Sequence, residues 1–128
     1  MAITNAGAVL AATALMNDSA TFLNAANSYI GVGDSTTAFS AAHTDLQAAT
    51  NKTRKAMDST YPQRSSGVLT FRATYSTSEA NYAWNEWGIF NASTAGTMFS
   101  RKVEGAALIT KTSAQSVQIT CTVTVAAA

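Results

Sequence analysis

The stretch "SVQITCTVTV" near the C-terminus constrains this chain more than any other. Val117, Ile119, Cys121, Val123 and Val125 alternate with Gln118, Thr120, Thr122 and Thr124. A period of two, rich in β-branched residues, fits a strand with one buried face and one wet face. "VLTFRATY" repeats the pattern, with Leu69, Phe71, Ala73 and Tyr75 set against Thr70, Arg72 and Thr74. Cys121 therefore reads as a small apolar group inside a sheet rather than a nucleophile. As the sole cysteine it forms no disulfide within the chain.

Other elements fall around these two strands. "NYAWNEWGIF" and "GTMFSRKV" read as a hairpin turning through residues 91–96, and residues 29–32 as a short strand running into a turn at Gly33-Asp34-Ser35. Residues 5–16 place Ala6, Val9, Leu10 and Thr13 at helical spacing. Thr4 or Asn5 supplies the cap, and Asn17-Asp18-Ser19 the stop. Residues 43–58 are polar and Ala-rich, predicting a helical turn near Leu46 to Ala49 and then a strand or loop.

The expected fold is α+β: a short N-terminal helix on or beside a mainly antiparallel β-sandwich, β from about residue 68 to 125, in one domain spanning 1–128. Bulky inward residues on 69–75 and 117–125 would supply its two facing sheets, about 10 Å apart. At 128 residues with 47% apolar content, the chain can bury one core and not two.

Charge narrows the function classes. Only 12% of residues are charged and the formal net charge is +1, against about a quarter charged in a typical soluble chain. Nucleic acid as the main ligand is disfavoured, because phosphate binding needs a concentrated cationic excess. Lys52, Arg54, Lys55 and Arg64 read as a solvated edge or as intersubunit ion pairs, since Asp45 and Asp58 lie among them. The N-terminal apolar stretch lacks a basic start and is interrupted by polar residues. It makes a poor signal peptide and is too short for a bilayer, so a soluble product made in the cytoplasm is expected.

Residues suited to catalysis are sparse. His43 and Cys121 are single and far apart, no paired His or Cys spacing exists, and no metal or cofactor is expected. "GVGDST" at 31–36 lacks the third glycine of a dinucleotide loop and the Gly-Lys of a P-loop. Glu86 is the acid of interest. A regular strand would set it on the face of Trp84 and Gly88, opposite Asn85, Trp87 and Ile89. Buried there, the carboxylate needs a cation or backbone N–H donors, and Arg54, Arg72, Arg101 and Lys111 are the candidate cations. Glycosidase chemistry would need a second carboxylate at defined separation, and none is evident beside it.

The order "ITNAG", "YIGVGDSTTAF", "HTDLQA", Arg54, "TFRATY", "WNEWGIFNAS", "GTMFSR" and "ITKTSAQSVQITCTVTV" resembles a structural module of tailed bacteriophages, of the tail fibre, tail-collar fibre or minor tail kind. The family's pattern is met here by Gly31, Gly33, Asp34, Thr44, Leu46, Glu86, Gly88, Ile89 and Phe90. Gln47 and Ala48 stand where an acidic residue often follows the leucine, and a long fibre shaft is lacking. The resemblance implies a virion protein that is not an enzyme and that acts by assembly. Its partners would be itself, as a trimer or ring, and neighbouring virion proteins.

Under that reading Glu86, Trp84, Trp87, Arg54, Arg101 and Phe90 carry structure and interaction, with Glu86 fixing the hairpin that bears the tryptophans. A capsid decoration or cement protein is the alternative. A carbohydrate-binding module or glycan-acting enzyme with a cleft of Tyr82, Trp84, Glu86 and Trp87, taking a host-surface glycan, is the third.

Overall fold

The two alternating segments, expected on facing sheets, instead pair with each other in one sheet, and the facing layer is built from other strands. In the computed structural model, which describes residues 2–127, β5 (Val68–Tyr75) and β8 (Val117–Thr124) run antiparallel, in register from Val68 opposite Thr124 to Tyr75 opposite Val117. Their inward residues Phe71, Ala73, Tyr75, Ile119, Cys121 and Val123 are buried. Val125, expected to continue the row, lies beyond the strand and is 73% exposed.

The remaining strands are β1 (Ala2–Ile3), β2 (Tyr29–Gly33), β3 (Lys52–Ala56), β4 (Gln63–Ser65), β6 (Glu86–Phe90) and β7 (Met98–Val103). Among the described residues they form a five-stranded sheet in the order β1-β7-β6-β2-β3 and a three-stranded sheet in the order β4-β5-β8, every pair antiparallel. With one short helix, this is the expected α+β sandwich; Met1 and Ala128 lie outside the described residues.

Between the sheets, Ile30, Val32 and Ile89 meet Phe71, Tyr75 and Cys121 in one core. Tyr75 ties the layers together, its hydroxyl lying 2.7 Å from the carbonyl oxygen of Ile30 and 2.9 Å from that of Thr53. Its ring meets Trp84 edge to face at 5.1 Å between centroids, a favoured aromatic geometry.

Helix α1 (Asn5–Leu15) is capped by Thr4, whose hydroxyl accepts from the Gly7 N–H at 2.9 Å. It packs on β7 of the same chain. Gly7 is required there, because a Cβ would run into the backbone carbonyl of Phe99. Only Gly7 and Leu10 of the helix are buried, and Val9, expected on the packed face, is exposed.

Candidate functional site

The outer face of the five-stranded sheet is covered by residues 34–51, and Glu86 is what holds them. Gly31 and Gly33 on β2 stand opposite Gly88 and Glu86 on β6, and Arg101 on β7 stands opposite Gly88. Strand alternation places these side-chain positions on one face. The glycines leave a trough: a Cβ at Gly33 would collide with the Glu86 carboxylate, and one at Gly31 would sit 2.7 Å from the Phe90 ring.

Both Glu86 and Arg101 are fully buried, with Nε donating to Oε2 at 2.7 Å. The same oxygen accepts from the Gln47 N–H and Oε1 from the Ala48 N–H, each at 2.9 Å. Arg101 also donates to the Thr37 carbonyl at 2.9 Å, with His43 Nδ1 3.4 Å from the guanidinium. A buried carboxylate is costly unless paired and hydrogen-bonded, and here an arginine and two backbone donors meet it together. The pair thereby anchors the covering loop at positions 37, 43, 47 and 48.

This anchoring accounts for the missing helical turn near Leu46 to Ala49. The chain there is irregular until β3 begins, because the N–H groups of Gln47 and Ala48 turn to the carboxylate instead of to carbonyls four residues back. Leu46 between them packs against Phe90 and Met98 in a second, smaller core on this outer face.

Arg54 closes the other end of the loop. Its guanidinium lies 3.7 Å from the centroid of the buried Phe90 ring. It donates to the carbonyls of Ala92 and Ala95 at 2.9 Å each and to Asp45 at 3.2 Å. A planar guanidinium that stacks and forks suits this place better than an ammonium. The Asp45 carboxyl is held below its usual range: partial burial pushes it up, but Lys52, the Leu46 N–H and Arg54 outweigh that.

The other candidates for Glu86 lie elsewhere. Arg72 binds Asp58 at 3.0 Å and stacks over Tyr61. Lys111 is buried and donates to the Asn81 side chain at 2.7 Å. Lys52 pairs with Asp45 and Lys55 with Glu79 within the chain, so these members of the basic cluster have partners without a second subunit.

Trp84 does not share the face of Glu86. It precedes β6 in irregular chain, points into the core between the sheets, and donates from Nε1 to the Ala80 carbonyl at 3.0 Å. The alternation drawn from the sequence fails because residues 82–84 are held by the segment around Thr110 and not by the β6 ladder. Trp87 is half-buried and binds Glu104 at 3.1 Å, and the Tyr82 hydroxyl binds Val32 and Thr53. With Trp84 and Glu86 both closed to solvent, Tyr82, Trp84, Glu86 and Trp87 form no common cleft.

Glu86 thus orders a loop, and its carboxylate makes no direct contact with solvent. Cys121 is equally withdrawn, burial pushing its thiol up to about 12. Among the described residues no three His, Cys, Asp or Glu side chains gather as a metal site.

Sequence reasoning anticipated backbone donors for Glu86 but did not place them at Gln47 and Ala48, and it missed the Thr37 carbonyl and the trough itself. A signal for the trough was present: glycines two apart in a strand leave one face bare, where another part of the molecule can approach closely. No protein-family model matches this chain. Nor does any curated protein show significant similarity to it.

Proposed function

We propose that the chain is a structural module of a tailed-bacteriophage virion, tail-associated in the manner of a tail fibre or minor tail protein, acting by oligomerisation and by binding neighbouring virion proteins. The order of sequence motifs supplies the virion part of this reading. Support for assembly comes from apolar surface left bare on a molecule whose charges are largely satisfied internally.

Leu15 is 90% exposed, Met16 80%, Val125 73% and Val9 64%. Of these, Leu15 and Val125 line an apolar groove of about 450 Å³ that runs between α1 and the end of the β5–β8 pair, together with Leu10, Leu23, Leu69 and Val123 among others. Contiguous apolar surface of this kind marks a contact site in proteins that otherwise expose polar groups. Among the described residues no helix is long and apolar enough to cross a membrane.

Capsid decoration is the second reading, favoured by a two-sheet sandwich with no elongated element among the described residues. The glycan reading has lost the cleft it required. Labelled protein offered to tailed virions and to empty capsids tests the proposal. Saturable binding to the tail is expected, binding to the shell selects decoration, and binding to neither overturns both.

A further inference from the structure

Most strand edges of this sandwich are short or charged. β3 carries Lys52, Arg54 and Lys55, β4 has three residues including Arg64, and β1 has two. Charge and brevity are how native sheets keep their edges from pairing with other chains. The edge strand β8 has neither: it runs eight residues without a charge, a proline or a register shift against β5.

Its backbone polarity can be assigned. The Val125 N–H donates to the Gly67 carbonyl at 2.8 Å, extending the β5–β8 register by one hydrogen-bonded pair. Such pairs alternate along an antiparallel ladder, so residues 117, 119, 121 and 123 turn their backbone groups toward β5. Gln118, Thr120, Thr122 and Thr124 turn theirs outward, and no group among the described residues meets them.

We propose that β8 is a homotypic assembly edge, on which β8 of a second copy pairs antiparallel to join two three-stranded sheets into one six-stranded sheet. This deepens the proposed function and rests on its claim that the chain assembles. The register that uses all four outward residues sets Gln118 opposite Thr124 and Thr120 opposite Thr122 of the other copy, with a two-fold axis at Cys121.

Three observations favour a second copy as the occupant. A strand whose outward groups sit at every second residue is its own hydrogen-bonding complement when reversed. An uncharged strand meets no like-charge repulsion from its twin, and Thr–Thr pairs are favourable across strands. In this register Val117 and Ile119 of one copy also fall beside Val125 and Val123 of the other, bringing apolar side chains to the groove end where Val125 is bare. A two-fold contact makes even-numbered assemblies.

The test is sedimentation equilibrium of the full chain with two double variants, each checked by circular dichroism. The wild type is expected as a dimer or a multiple of two. T120K/T122K sets introduced lysines opposite each other and weakens association about tenfold or more. T120K/T122E sets lysine opposite glutamate and restores it.

Amide exchange on the wild type supplies a readout without any variant: the N–H groups of Gln118, Thr120, Thr122 and Thr124 slow as concentration rises. A monomeric wild type, an oligomer indifferent to T120K/T122K, equal weakening by both variants, or edge amides whose exchange ignores concentration would each overturn the proposal. An oligomer with an indifferent edge leaves assembly standing. A monomer that binds virions leaves the virion reading standing without this edge.

Discussion

Glu86 on β6 and Arg101 on β7 meet at 2.7 Å with neither side chain reaching solvent. The carboxylate also accepts two N–H groups of the loop that covers it. Removing one partner of a buried pair leaves the other charged and unpaired, at a cost of about 3–5 kcal/mol. Glu86→Gln keeps the shape and loses the charge, so we expect the lower end of that range in urea unfolding, with loss of assembly at concentrations where the wild type assembles. Unchanged stability and assembly would show that the pair has no structural role.

Gly33→Ala tests the trough. The added methyl group would occupy the place of Glu86 Oε1, and overpacking of this kind costs about 1–3 kcal/mol. The two sites should be coupled, since residues in contact are non-additive. In a Glu86→Ala background the same glycine substitution is expected to cost less, and a strictly additive cycle would refute the close approach.

Acid should loosen the other face through Glu79. Its hydrogen bonds from Lys55 first, then the Ser76 N–H, hold the carboxyl near 2, below its ordinary 4.5. A carboxyl depressed in the folded state contributes stability above its unfolded value and loses it as pH falls through the folded value. Melting temperature is therefore expected to fall between about pH 4.5 and pH 2, less steeply in Glu79→Gln than in the wild type. Parallel curves would remove Glu79 from the acid response.

Cys121 should be silent toward thiol reagents in the folded protein. With the thiol pushed up to about 12 by burial, only about one in ten thousand is thiolate at pH 8, and the thiolate is the reactive form. A disulfide reagent should label it at the rate of global unfolding and rapidly in urea. Fast labelling in native buffer would contradict the buried position.

The two alternating segments were legible as strands because a period of two survives any tertiary context that buries one face, but their partners were not: set on facing sheets from the sequence, they are neighbours in one sheet, since alternation says which face is buried and not which strand lies alongside. The helical turn read near Leu46 to Ala49 is absent because local preference there is overridden from a distance: a carboxylate some forty positions away takes the N–H groups such a turn would have used. The facing of Trp84 failed for a related reason, since alternation holds only inside a ladder and the ladder starts at Glu86. Arg101 stood among four candidate cations, and sequence spacing alone had no means of choosing between it, Arg54, Arg72 and Lys111. Val9 and Val125, apolar and expected inward, are exposed, Val125 because β8 ends one residue before it.

The most direct test of the account is whether the chain is a stoichiometric part of a particle. Tailed virions that encode it, purified through a density gradient and stripped of loosely bound protein, would be analysed by quantitative mass spectrometry against the major capsid protein. The account predicts this chain at a fixed whole-number copy per virion that high salt does not remove. Its absence from such virions, or an amount that falls with each wash, would contradict the structural role.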